Sequence, residues 1–322
     1  MAQRPDELPD ERPGRAAGEP RRIAVLLRSH LKGSAKAMEL AAQLSAVPDW
    51  DVYFAADETN GELDVSPYRK VPHSIEACRA IGLFTDRPKA MAFLGDYPFY
   101  VTFPAIPDYD FYLMIEYDVG LADKGGDYFH RLAEALRSET YAELDLLGTN
   151  HRPLGLGRDK RPHRFAQAWK SIFPIIGLSR RAIKHLYAER LREATQPPLS
   201  DGTQNVYCEF FVPSAMEAAG RFRCLPLNDV MPGSVDKVSF NTRESRVLHH
   251  EMRLPVASAL LHPVLDFAQY ARKTAAIAIK FGRIPAFRED LDYFRRHGYD
   301  PAVLAETEAK LDLAETRRAK VA

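Results

Sequence analysis

Cysteine is scarce in this chain: 322 residues hold three, Cys78, Cys208 and Cys224, odd in number and widely spaced. That argues against a disulfide framework or a thiolate zinc site and suits reduced thiols packed as small core residues. An excess of either charge is also missing. Lys plus Arg and Asp plus Glu are each 44, so the formal charge is zero and no global field favours nucleic acid or an anionic membrane. No nucleic-acid partner is expected, while local basic patches leave peripheral membrane contact open. No apolar run approaches the roughly 20 residues of a membrane span. The stretch "MAQRPDELPDERPGRAAGEPRR" lacks the apolar centre of a signal peptide. With no Asn-x-Ser/Thr sequon either, the expected compartment is the cytoplasm.

Several motifs are absent too. "RSHLKGSAKA" has one glycine where a dinucleotide fold needs a Gly-x-Gly-x-x-Gly turn. "GLGRDK" lacks the spacing of a phosphate-binding loop ending in Gly-Lys-Ser/Thr, and "GLSRR" lacks the second glycine of a nucleophile elbow.

What is present reads as layered α/β text. Residues 1–20 carry almost no large apolar side chains and cannot offset the entropy of ordering, so a mobile tail is expected. "RRIAVLLRSH" and "WDVYFAADETNG" read as strands around a helical "LKGSAKAMELAAQLSAV". "SIEACRAIGL" reads as a helix and "MAFLGDYPFYVTFPAI" as a mixed segment. "YDFYLMIEYDV" is apolar on both faces, as a strand inside a helix-covered parallel sheet is. "DYFHRLAEALRSE" is helical, "AELDLLGT" extended, and "FPIIGLSRRAIKHLYAERLREA" a strand running into a long helix. "NVYCEFFVPSAMEAAGRFRCLPL" reads as an apolar segment holding one acid, a short helix and a further strand. After Asp266 the text is helical and charge-laced. The alternation predicts an α/β fold with a mostly parallel central sheet.

Glu116 and Asp118 leave the most apolar strand. Residues two apart on a strand share a side, so an extended conformation through Tyr117 presents both carboxylates together, at the carboxyl end where open α/β sheets gather ligands. Oxygen ligands suit Mg²⁺ or Mn²⁺ bound with a substrate phosphate. Alone the motif is weak, since such acid-x-acid triplets arise by chance on the order of six times at this acid content.

In order along the chain, these pieces resemble the nucleotide-sugar-dependent glycosyltransferases of the A-type (GT-A) fold. "YDFYLMIEYDV" resembles the strand and acidic metal motif, "IAVLLRSH" and "DVYFAADET" the first two strands, and "FPIIGLSRRAI" the acceptor-side segment. "NVYCEFFVPSAMEAAG" resembles the region of the catalytic acid in inverting members, and "LHPVL" the late His-Pro. Glu-Tyr-Asp departs from the family's usual Asp-x-Asp or Glu-Asp-Asp in opening on Glu and carrying Tyr117 in place of an acid. The resemblance implies a GT-A-like α/β/α sandwich over 21–265, with a nucleotide-binding half near 21–125, an acceptor half near 126–265, and a helical C-terminal appendage over 266–322. It implies a hexosyltransferase-type enzyme moving a sugar from a nucleoside diphosphate donor to a carbohydrate or other hydroxyl acceptor, assisted by Mn²⁺ or Mg²⁺.

By the same resemblance Asp118 contacts the metal, Glu116 binds it through water or touches the sugar, and His262 completes the shell or touches the diphosphate. Glu209, among Cys208, Phe210 and Phe211, has an apolar setting that biases a carboxyl pKa upward and suits a general base, which implies inversion. A helix-start acid or a buried ion-pair partner is the other reading of Glu209, and a hydrogen-bonded turn histidine that of His262. Asp57 and Arg28 occupy nucleotide-binding positions; caps and ion pairs explain such residues as well. Trp169, Phe99 and Tyr100 are stacking candidates, with core packing the commoner fate. His249, His250 and Glu251 read as a solvated loop, because adjacent histidines on a strand face opposite ways. Two rival functions remain: a sugar nucleotidyltransferase, disfavoured by the missing glycine-rich loop, and an inactive GT-A-like saccharide-binding or scaffold protein.

Overall fold

The computed structural model describes residues 19–85, 90–122, 126–155, 163–237, 239–240, 247–248 and 258–319. The tail expected over 1–20 lies almost wholly outside them, as do residues 249–251. The elements are β1 (Ile23–Ser29), α1 (Ala35–Ser45), β2 (Trp50–Asp57), β3 (Arg69–His73), α2 (Ile75–Ala80), α3 (Ala90–Phe93) and α4 (Tyr97–Ala105). Next come β4 (Phe111–Glu116), β5 (Gly120–Leu121), α5 (Tyr128–Arg137), β6 (Leu144–Pro153), β7 (Trp169–Ser179), α6 (Arg180–Ala194) and α7 (Cys208–Ala219). The chain continues through β8 (Arg223–Pro226), α8 (Leu227–Val230), β9 (Val247–Leu248), β10 (Leu260–Leu261), β11 (Val264–Leu265), α9 (Phe267–Phe281), α10 (Ile284–Arg296) and α11 (Pro301–Ala319).

Seven strands form the central sheet in the order β3-β2-β1-β4-β7-β6-β8. Period-two side-chain alternation divides β1 and β4 between two cores. Ile23, Val25, Leu27, Phe111, Leu113 and Ile115 face one, with apolar side chains of α1 and α5. Ala24, Leu26, Tyr112 and Met114 face the other, with those of α2, α4, α6 and α7. Burying a Leu, Ile or Phe stabilises by about 1.5–3 kcal/mol, so this two-sided burial fixes the α/β/α layering that the sequence predicts.

The sheet is mostly parallel. β7 is the exception: it runs antiparallel to both of its neighbours, β6 and β4. There the Phe111 ring lies across Gly177, where a Cβ would come within 2.4 Å of it. "MAFLGDYPFYVTFPAI" folds into α3 and α4, with Pro98 in the first turn of α4, where its missing N–H costs nothing. Serine caps begin three helices: Ser34, Ser74 and Ser179 accept from Ala37, Ala77 and Ala182 at 3.1–3.2 Å.

Two further pairings position the site. β10 lies antiparallel to β5, and β11 parallel to β9. The first lays residues 260–264 beside the turn that follows β4, and the Val264 amide donates to the Asp118 carbonyl at 2.6 Å. The C-terminal helices share a cluster of Ala275, Ile284, Phe287, Leu291, Phe294, Leu304 and Leu311, and α9 follows directly from β11.

Candidate active site

β4 ends at Glu116, and Tyr117 and Asp118 form a turn. The expected extension through Tyr117 is therefore absent: the turn and its ties to residues 260–264, rather than strand alternation, place Asp118. The two acids still converge. His262 Nε2 lies 3.3 Å from Asp118 Oδ1 and 3.7 Å from Glu116 Oε2. One ligand atom from each of the three residues falls within 4.8 Å of the others.

Each side chain has a local reason to be there. Register pairs Arg28 of β1 with Glu116 of β4, and Arg28 Nη1 donates to Glu116 Oε1 at 2.8 Å. The other Arg28 Nη donates to the Met91 carbonyl. His262 is set by its amide, which donates to the Ser239 carbonyl at 2.9 Å, and by its ring, 5.3 Å from that of Phe240. Lys36, buried in the first turn of α1, donates to the Val119 carbonyl and, at 3.4 Å, to that of Tyr117. Lys273 of α9 reaches within 3.9 Å of Asp118 Oδ2.

Burial opposes charge at this site, and partners overcome it. Burial raises the Asp118 carboxyl pKa, but the His262 charge and hydrogen bond, then Lys273 and Lys36, hold it below the usual range. Burial lowers His262, yet Asp118 and then Glu116 drive the imidazole up to about 10. Burial pulls Lys36 down to about 8 against the influence of Asp118 and Glu39.

These groups border a cleft of about 750 Å³ that also takes in Arg28, His30, Asp57, Thr59, Asn60 and Lys273. Asp57, at the end of β2, accepts from the Thr59 amide at 3.1 Å. The cleft thus has a cationic and carboxylate floor and an amide and hydroxyl flank. Asp118 Oδ1 is buried, 3.3 Å from His262 Nε2, and has lone pairs left for a cation. Two carboxylates and an imidazole make a donor set that fits Mn²⁺ or Mg²⁺, whose remaining positions go to water or phosphate oxygen.

Other candidates lie elsewhere. Glu209 occupies the first turn of α7, buried, 3.5 Å from Lys170 Nζ. It is not among the described residues that line the cleft. Phe99 and Tyr100 are fully buried core side chains. Trp169 stacks on His151, with ring centroids 4.9 Å apart. Lys36, His30, Asn60 and Lys273 escaped sequence reasoning. Lys36 carried a readable signal, since it shares the buried helical stripe of Leu40 and Leu44.

No family model and no curated relative matches the chain in sequence. Among solved structures it is similar to a glycosyltransferase involved in the glycosylation of the major capsid of PBCV-1, at 11% identity and a TM-score of 0.30. That match covers 52% of this chain and 66% of the other, so the chain spans just under two thirds of that relative. It is also similar to the galactosyltransferase LgtC solved with donor and acceptor sugar analogues, at 11% identity and a TM-score of 0.36, covering 60% of this chain and 69% of that one. Both are glycosyltransferases, the kind of protein the sequence resembles; at such identity and superposition the likeness assigns no residue and no reaction. Among the described residues no helix is long and apolar enough to cross a membrane.

Proposed function

We infer that the protein is a glycosyltransferase that moves a sugar, of the hexose type, from a nucleoside diphosphate donor to an acceptor hydroxyl, with Mn²⁺ or Mg²⁺ at Glu116, Asp118 and His262. The carrying observation is the meeting of these three ligand atoms at the carboxyl end of a central strand, in a cleft that also holds Asp57. When bound, the ion offsets the charge of the departing diphosphate as the glycosidic carbon becomes cationic. Lys273 and Arg28 add positive charge for the phosphates, and Asp57 with Asn60 gives the nucleoside hydrogen-bonding partners on the flank.

Inversion with Glu209 as base is part of this reading. Glu209 does not itself line the cleft, but its neighbour Cys208 and the cleft residue Arg28 both lie against Gly95. Glu209→Gln retaining full turnover would remove the case for inversion.

One observation favours the rival reading, a catalytically silent saccharide-binding protein: Arg28 and His262 already neutralise the two acids. Calorimetry with UDP and GDP, with and without Mn²⁺, separates the two. The transferase reading expects diphosphate binding that requires the ion and is lost in Asp118→Asn. Equal binding without the ion, or none at all, overturns it.

A further inference from the structure

A second group of ligand-type side chains lies away from the cleft, where β6, β8 and the C-terminal end of α7 meet. His151 Nε2 is 2.8 Å from Glu217 Oε1, and one ligand atom each from His151, Glu217 and Cys224 falls within 4.8 Å of the others. We propose that these three residues bind a borderline-soft divalent cation, Zn²⁺ being the ion that fits, with a fourth position taken by water.

The backbone is built to deliver the histidine. β6 slips register against β7 at Gly148/Thr149 and again before Arg152, and Asn150 within that bulge adopts φ 54. Asn tolerates the left-handed region better than most non-glycine residues, and bulges of this kind re-aim a side chain. Here the result is an inward His151 whose side chain is 2% exposed. Gly148 makes room: a Cβ there would come within 2.6 Å of Ser171 Oγ and 2.9 Å of His151 Cβ.

The ring is then fixed in orientation. Ser171 Oγ lies 3.0 Å from Nδ1, and Trp169 stacks on the ring face, so Nε2 is the nitrogen aimed at Glu217 and Cys224. A hydrogen bond on one imidazole nitrogen that frees the other for a metal is the usual outer-sphere arrangement of a histidine ligand. Imidazole, carboxylate and thiolate together suit Zn²⁺ and not the hard ions that the cleft would take. A tetrahedral ion with bonds of about 2.0–2.3 Å keeps its donors about 3.3–3.7 Å apart. The His151–Glu217 pair therefore opens by about half an ångström. Bound there, the ion ties the end of α7 to the sheet edge, on the helix whose first turn carries Glu209.

Co²⁺ titration of the full chain tests this, because thiolate-to-cobalt charge transfer absorbs in the near ultraviolet and no cysteine is among the described residues that line the cleft. The expected result is one equivalent of a charge-transfer band, displaced by Zn²⁺, retained in Asp118→Asn and absent in Cys224→Ser, with His151→Gln weakening binding at least tenfold. No such band in the wild-type chain at saturating Co²⁺ overturns the proposal, whatever the folding of the variants. So does a band unchanged in Cys224→Ser. The outcome does not depend on the glycosyltransferase reading.

Discussion

Metal binding to the cleft should expel one proton, and that proton should come from His262. The structure holds this imidazole at about 10 through Asp118 and Glu116, against an ordinary value of 6.5. A raised folded value means that the protonated ring stabilises the metal-free protein below pH 6.5 and that this contribution fades as pH climbs through about 10. A ligand must be neutral, so at pH 7 the ion competes with a proton three units below its midpoint. That costs about 4 kcal/mol, or roughly a thousandfold in affinity. Apparent affinity for Mn²⁺ should therefore rise about tenfold per pH unit between pH 7 and 9. Asp118, held below the usual carboxylate range, is ionised throughout and contributes no slope. Calorimetry at pH 7.5 in two buffers of different ionisation enthalpy reads the proton count directly: close to one per ion for the wild type, close to zero for His262→Gln. Equal counts in the two proteins would refute the assignment and leave His262 as a permanent cation beside Asp118 rather than a ligand.

Three other outcomes follow from particular contacts. Arg190 is fully buried, bidentate to Asp96 at 2.8 and 2.9 Å and paired with Glu193 at 2.6 Å. Arg190→Met leaves two buried carboxylates without their cation and should cost about 3–5 kcal/mol in urea unfolding; a loss under 1 kcal/mol speaks against an intact network. A Cβ on Gly120 would meet Val264 Cγ2 at 2.7 Å, next to the amide that holds the Asp118 carbonyl. Gly120→Ala should lose about 1–3 kcal/mol and weaken Mn²⁺ binding, with Val264→Ala restoring both; no rescue means the clash is not the cause. His73 is buried with neither ring nitrogen hydrogen-bonded, and burial lowers it to about 4. Its neutral form stabilises the fold above pH 6.5, and up to about 3 kcal/mol is lost as pH falls from 6.5 through 4. His73→Leu should flatten the fall in urea midpoint over that range, and an unchanged slope counts against it.

The layers were legible because they follow from periodicity. β1, β2 and β4 are apolar on both faces, and α1 and α5 carry one apolar stripe each, so burial alone sorts them into sheet and cover. The antiparallel partner of β4 was not legible, since an apolar strand buried on two sides reads the same whichever way its neighbour runs. α4 was obscured by Pro98, Pro104 and its aromatics, which carry no helical period because every face of it is buried. The sequence leaves Glu209 either in an apolar segment ahead of a short helix or at a helix start. It lies in the first turn of α7, four residues ahead of Pro213, which has no N–H to offer the Glu209 carbonyl. At the site, the acids were visible as types, but the means of bringing them together was not. Sequence alternation points to strand geometry through Tyr117, whereas the structure uses a turn held by Lys36 from α1 and by the Val264 amide. Those ties join distant parts of the chain, and nothing local in "EYDVG" encodes them.

That construction bears on how the cleft can work. Two acids this close repel without cations beside them, and here four stand-ins, Arg28, His262, Lys36 and Lys273, lie around Glu116 and Asp118. The stand-ins differ in freedom. Lys36 is tied to two carbonyls and Arg28 to Glu116 and Met91, whereas Lys273 is half exposed at the rim. On the proposed metal reading, an incoming ion would displace a proton from His262 and release Lys273, while Arg28 and Lys36 keep their charge in place. Four cations beside two carboxylates leave this floor net positive, so on that reading a diphosphate would strengthen ion binding by offsetting the added charge. On the proposed reading, metal and diphosphate should therefore bind cooperatively, each tightening in the presence of the other, which is the property a donor site requires if it is to hold the nucleotide only in its metal-bound form.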